Sequence, residues 1–201
     1  QKEYKITGLD NSQDMLNILT KRCSKLPASI SERATLIHAD MTNFNLNKSF
    51  PFVFIPLNTF LGLPKASQRL EMLRCVRQHL EKNGSFVIDI SISNPLTEPS
   101  APSFNLFEQE KTEPMRIISV SQEFPGSIND TKFINFFNIF FKGEKKIAIT
   151  VSMTEEWCVN YYSLFNLLKD SGFKITAAYS NYDLSPFNEG DSNLIVIANL
   201  C

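Results

Sequence analysis

The chain reads as an open α/β sandwich interrupted late by an antiparallel β insertion. Three observations predict it. Short apolar runs alternate with helix-period stripes from Lys5 to Ile90. A proline-rich connection follows, with Pro95, Pro99 and Pro102. Two-residue alternation then runs from Ile118 to Met153, before a last helix and two strands.

Lys5–Asp10 is a strand that ends in a carboxylate. Asn11-Ser12 offers a turn and a helix N-cap. Met15, Leu16, Leu19, Cys23 and Leu26 repeat on one helical face, and Pro27 stops it. Ala34–His38 is the next strand. Phe52–Ile55 is apolar throughout, which predicts burial on both faces in a parallel sheet. A helix is expected over Ser67–Leu80, with Leu70, Leu73, Val76 and Leu80 inward and Asn83-Gly84 as its end. Ser85–Ile90 is another buried strand.

In the insertion, Phe133, Phe137, Ile139 and Phe141 load one face, while Phe136 and Phe140 load the other. Ile147, Ile149, Val151 and Met153 alternate cleanly, with Gly143-Glu144 as a hairpin turn before them. Three strands are expected here. The division is 1–106 with 155–201 for the parent sheet and 107–154 for the insertion. The last helix carries Tyr161, Leu164, Phe165 and Leu168, with Gly172 as its left-handed cap. Phe173–Tyr179 and Leu194–Ala198 are closing strands.

The bulk properties set limits. A length of 201 residues suits one packed core. A net charge of -1 with scattered lysines and arginines gives no track for nucleic acid. No apolar run is long enough to cross a bilayer, so no membrane partner is expected. Seventeen phenylalanines predict a thick aromatic core, and either a lid over an apolar substrate or a subunit contact, as in a homodimer. The four cysteines form no CxxC pair, which argues against structural zinc or a redox dithiol and for a reducing, cytoplasmic location.

Several polar residues fall where strands end, the place where open α/β sheets bind ligands. Asp10 can accept from both hydroxyls of a ribose, a role equally suited to a dinucleotide dehydrogenase; capping the next helix is its structural alternative. Asp40, two residues past the second strand, is placed to accept from an adenine amine, or simply to form a turn. Met15 and Met41 can flank a purine or pack in the core. Asn58 and Thr59 follow the Phe52–Ile55 strand and would face the reacting end of a ligand. Asp89 is polar within an apolar strand. Phe60, Trp157 and Tyr161 are candidate walls of a partly apolar acceptor pocket, against a default role in packing. His38 and His79 have no local metal partner, and no HExxH, nucleophile elbow or phosphate loop is present.

The pieces Ile6–Asp10, Asn11–Leu16, His38–Met41, Asn58–Phe60, Phe86–Asp89, Gly172–Ile175, Tyr182-Asp183 and Leu194–Ala198 occur in an order that resembles the class I S-adenosylmethionine-dependent methyltransferases. The likeness is greatest to the small-molecule branch with an antiparallel insertion over the site. The resemblance implies a Rossmann-like methyltransferase sheet and S-adenosyl-L-methionine as cofactor. It assigns Asp10 to the ribose and Asp40 with Met41 to the adenine, and brings Asn58 to the methionine end or the substrate; Asn11, Met15 and Thr59 are further candidates for cofactor binding, and Asn58 and Asp89 for catalysis. It implies direct displacement of the methyl group onto a small-molecule N, O or C acceptor. It also places a central strand and a glycine-rich loop roughly 20 residues ahead of Gln1. Without that strand, backbone edges and an apolar face stand uncovered. A binding or scaffold protein of the same fold is the second reading.

Overall fold

The computed structural model describes residues 4–109, 115–128 and 130–201. β1 (Ile6–Asp10) and β2 (Ala34–His38) pair in parallel, joined by α1 (Gln13–Cys23) and a short α2 (Ala28–Ser31). Ser12 is the N-cap of α1, its hydroxyl accepting from Met15 N. β3 (Phe50–Ile55) leads through a 3-10 turn, Thr59–Gly62, into α3 (Ala66–His79) and β4 (Leu80–Ser91). The insertion is β5 (Ser103–Gln109), β6 (Met115–Pro125), β7 (Thr131–Lys142) and β8 (Lys145–Trp157). α4 (Tyr161–Asp170), β9 (Phe173–Tyr179) and β10 (Asn193–Leu200) close the chain.

These strands form three hydrogen-bonded groups. One is β1-β2, the second is β3-β4-β10-β9 with β10 antiparallel to both neighbours, and the third is the antiparallel order β5-β6-β7-β8. The expected insertion is therefore present, with four strands rather than three and beginning at Ser103. β5 was hidden because Ser103–Gln109 follows the prolines directly and its alternation is short.

The core lies between β4, β9 and β10 and the helices α3 and α4. Phe86, Ile88, Ile90, Leu73, Val76, Leu164, Leu168 and Phe173 are buried there. Gly172 takes φ +81 and its N–H donates to Lys169 O, the predicted helix end. Gly143 at φ +60 turns the β7–β8 hairpin. Gly84 differs from expectation. It lies within β4, beyond the helix, and a Cβ there would come within 2.9 Å of Leu80 Cδ1 and 3.0 Å of Glu81 O. Close approach, not a helix cap, asks for glycine.

Apolar positions stand exposed where, among the described residues, part of the sheet has no cover, the expected Phe52–Ile55 and α1 faces among them. Phe52 and Phe54 are exposed on β3, which among the described residues bonds to β4 on one side only. Ile6 is exposed on β1. Met15, Leu19 and Leu26 are exposed too, leaving Leu16 as the buried residue of α1. In the insertion, Leu106, Ile118, Ile139 and Ile149 stand in register across all four strands, as do Phe104, Val120, Phe137 and Val151. Much of this face is open, Phe104 at 73% and Val151 at 74% exposure.

Leu70 also faces out, and its expected place is taken by Met72 and by Arg69. Arg69 Nη1 donates to the carbonyls of Leu63 (2.9 Å) and Pro64 (2.7 Å). Its guanidinium lies 4.0 Å from the Trp157 ring centroid and 3.6 Å from Asp130 Oδ2, which also accepts from Trp157 Nε1. Burial lowers the Arg69 pKa and Asp130 opposes this; the guanidinium stays charged. Arg69→Met keeps the apolar stem but orphans two buried carbonyls. It should cost about 2–4 kcal/mol in urea unfolding.

Glu155 ties the β6–β7 loop to β8, accepting from Ser127 Oγ (2.5 Å), Thr131 Oγ1 (2.7 Å) and Ser127 N (2.9 Å). The Ser127 hydroxyl, then that of Thr131, holds its pKa below the ordinary 4.5. A depressed folded value stabilises above the unfolded value and loses that contribution as pH falls through the folded one. Thermal melts of Glu155→Gln should therefore differ from wild type at neutral pH and converge with it as pH drops below 4.5.

Candidate functional site

The carboxyl ends of β1 to β4 carry the polar residues singled out above. Asp10 is the last residue of β1 and lies opposite His38 in the parallel register. Its Oδ1 accepts from Ser12 N at 2.8 Å, and Oδ2 has no protein partner among the described residues. His38 Nε2 lies 3.0 Å from Asn11 O, so this histidine secures the same edge. Asp40 Oδ1 accepts from Thr42 N (2.8 Å) and Thr42 Oγ1 (2.7 Å). These bonds, the backbone one first, hold its pKa low and keep it ionised. Its second oxygen has no protein partner among the described residues. Met41 packs on the core edge, whereas Met15 stands exposed on α1.

The segment after β3 is conformationally costly. Leu57 has φ 54 and Asn58 φ 62, both left-handed, and neither is glycine. Pro56 O accepts from Thr59 N (3.1 Å) and Thr59 Oγ1 (2.7 Å), closing the turn. Asn58 Oδ1 accepts from Ser91 N at 2.6 Å, and Nδ2 donates to Ser91 Oγ at 3.2 Å. Asn58 thus turns inward and fastens the turn to the end of β4. Its side chain positions the site, and the Thr59 hydroxyl is likewise spent on the turn. Leu57 is thrown outward at 80% exposure.

Asp89 is the centre of this end. Its carbonyl accepts from Asn58 N (3.1 Å), and its Oδ2 accepts from Leu57 N (3.2 Å) and from the Tyr182 hydroxyl. The bond to Asp89 pushes the Tyr182 phenol pKa up, so the phenol stays protonated. Tyr182 belongs to the β9–β10 loop, which folds back through Ser180 N to Ser185 O (2.9 Å) and Phe187 N to Ala178 O (3.2 Å). Sequence reasoning did not select Tyr182 as a site residue. A loop residue without periodicity leaves only its position between two strand ends as a signal.

A cavity of about 210 Å³ opens here, between Leu57, Asp89, Ser91, Tyr182 and Asn193. A larger one, about 370 Å³, lies at the amino-terminal edge of β3 beside Lys48 and His79. The smaller is the better candidate, because strand carboxyl ends converge on it. His79 is committed to structure: Nε2 accepts from Leu46 N (2.9 Å) and Nδ1 lies 2.7 Å from Cys75 O. No metal-binding cluster of His, Cys, Asp and Glu occurs among the described residues.

The proposed acceptor walls fall elsewhere. Phe60 is fully buried and Trp157 nearly so, meeting edge-to-face with centroids 6.0 Å apart. Both are core, since the Arg69 contact draws Trp157 inward. Tyr161 is half-buried among Tyr162, Phe165 and Phe187.

No family model matches this sequence, and neither does any curated protein. Solved structures do. An S-adenosylmethionine-dependent methyltransferase from Clostridium acetobutylicum superimposes with TM-score 0.74 at 17% identity, over 96% of this chain and 74% of that one. The chain carries the methyltransferase fold. The CcbJ methyltransferase of Streptomyces caelestis gives 0.76 at 16% identity, over 98% of this chain and 75% of its own. The glycopeptide N-methyltransferase MtfA, complexed with S-adenosyl-L-methionine, gives 0.62 at 21% identity, over 98% and 78%. Within this fold, the antiparallel group β5-β6-β7-β8 is the insertion and β10 is the reversed strand.

The left-handed Leu57 gives a local test. Leu57→Gly removes backbone strain of about 1–2 kcal/mol, less the added chain entropy of glycine. Its urea midpoint should rise by the equivalent of up to about 1 kcal/mol. Asn58→Ala should move it the other way, because Ser91 N loses its acceptor.

Proposed function

We propose that this chain is an S-adenosylmethionine-dependent methyltransferase acting on a small-molecule acceptor. The observation that carries the reading is the set of polar residues at the carboxyl ends of two pairs of parallel strands, β1-β2 and β3-β4. Asp10 and Asp40 end adjacent parallel strands, each with one carboxylate oxygen open, and the turn bearing Asn58 and the Asp89 cavity follow β3 and β4. This donor set fits the cofactor. Asp10 would hold the ribose hydroxyls, Asp40 with Met41 would hold the adenine, and the cavity at Asp89 would take the acceptor. Bound there, the sulfonium supplies an electrophilic methyl carbon. The protein's contribution is alignment of the acceptor with it.

The small-molecule assignment rests on charge and shape. Net charge is -1, the basic residues are dispersed, and the cavity is of fragment size. The exposed aliphatic rows of the insertion suit a homodimer contact, and the unpaired thiols suit a reducing cytoplasm.

Calorimetry with S-adenosylmethionine and S-adenosylhomocysteine tests the cofactor. Asp10→Ala should weaken binding by about 1.5–3 kcal/mol, the worth of a hydrogen bond to a charged group. Unchanged affinity would remove Asp10 from the site. A screen with radiolabelled methyl donor should label a small acceptor; exclusive labelling of RNA or protein would overturn the acceptor class. No transfer at all, with cofactor bound, would favour the scaffold reading.

A further inference from the structure

The Asp89 cavity has a property that cofactor binding does not use. Its carboxylate faces the opening with no lysine, arginine or histidine within ion-pair distance among the described residues. Both of its internal donors, Leu57 N and the Tyr182 hydroxyl, go to Oδ2. Oδ1 has no protein partner among the described residues. Nearby side chains at the opening, Leu57 at 80% and Tyr182 at 64% exposure, present an alkyl group and a ring.

We propose that Asp89, oriented by Tyr182, binds the ammonium group of a basic amine acceptor and takes its proton, so that the reaction is N-methylation. This rests on the methyl-transfer reading above. The other lining side chains are neutral, Asn58, Ser91, Asn181 and Asn193 among them, so the carboxylate is the one charge among the described residues of the opening, and an ammonium complements it. An alcohol acceptor brings no such charge. The raised pKa of the Tyr182 phenol keeps it a donor, so it steadies Oδ2 without competing for the proton. The turn enforces the same geometry from the other side. Leu57, left-handed, donates its N–H to Oδ2, and Asn58 locks that turn onto Ser91. Strain kept at a ligand cavity is strain kept for placement.

The step balances. The ammonium gives a proton to Asp89 Oδ1, which frees the nitrogen lone pair. That pair forms the N–CH3 bond as the C–S bond breaks, and the C–S electrons go to sulfur, which becomes a neutral thioether. The proton on Asp89 leaves to solvent at the open mouth. Asp89 touches the acceptor and is catalytic; Tyr182 acts through Asp89 and is a positioning residue.

The test uses the full chain and two probes of one shape, benzylamine and benzyl alcohol, titrated by NMR. Benzylamine should bind about tenfold more tightly, the effect of one charge-assisted contact. Asp89→Asn should bring the ratio near one. Tyr182→Phe should lower the ratio while leaving benzyl alcohol affinity unchanged, and Asp89→Glu should restore part of it. Equal affinities in wild type, binding of neither probe, or an amine preference that survives Asp89→Asn would each overturn the assignment. S-adenosylhomocysteine binding, measured on the same samples, separates the two claims. If it is retained in Asp89→Asn while the preference is lost, both stand. If wild type fails to bind it yet prefers benzylamine through Asp89, the ammonium site stands and the methyl-transfer reading falls.

Discussion

The buried guanidinium of Arg69 is the contact on which the two halves of the molecule depend. A charge in that position is expensive unless every donor finds work. Here two carbonyls at the entry to α3, the face of Trp157 and the Asp130 carboxylate share it. Leu63 and Pro64 belong to the parent sheet's connection, while Trp157 ends β8 and Asp130 precedes β7. One side chain thus fixes where the insertion leaves the parent fold. Phe60, edge-on to the same indole, carries that fixation to the 3-10 turn beside Asn58. The site's placement and the insertion's placement are consequences of the same packing.

From that anchor the chain can hold an unfavourable turn. Two consecutive left-handed residues without glycine cost energy that local sequence does not return. The return comes from bonds formed at a distance in sequence: Asn58 to Ser91, Leu57 N to Asp89, and Asp89 in turn to Tyr182. Each joins a different element end. The cavity is therefore a product of tertiary structure, and no single segment encodes it.

This explains which parts were legible in the sequence. The helix and strand segments and the Gly143 and Gly172 turns follow from local rules and appear where expected, although the apolar faces of α1 and β3 stand exposed. So do the edge positions of Asp10, Asp40 and Asp89, because strand ends can be counted. The burial of Arg69 was not legible because hydropathy sets arginine outside, and only partners brought by the fold, two carbonyls, Trp157 and Asp130, make burial tolerable. Phe60 and Trp157 were read as walls because aromatic residues near a site and aromatic residues in a core look alike in sequence. Asn58 was right in position, yet its amide is spent on Ser91, which only register between β3 and β4 decides. Tyr182 carried no periodic signal at all.

The uncovered apolar surface follows from topology. Among the described residues, β1 bonds only to β2, and β3 only to β4, so each presents one unpaired backbone edge. Exposed Ile6, Phe52 and Phe54 lie on these same strands, and Met15 and Leu19 lie on the helix that packs against the first pair. Unpaired edges and apolar faces on the same elements are complementary to one kind of object, a further strand with an apolar side. The fold resemblance calls for a central strand of that kind. The matched methyltransferases, of which this chain spans about three quarters, are longer than this chain. Asp10 and Asp40 sit on one of the two pieces such a strand would join, and Asn58 and Asp89 on the other. On the proposed reading, alignment of a cofactor held by the first pair with an acceptor held by the second depends on how those pieces are joined, which would make sheet continuity a condition of the chemistry as well as of stability.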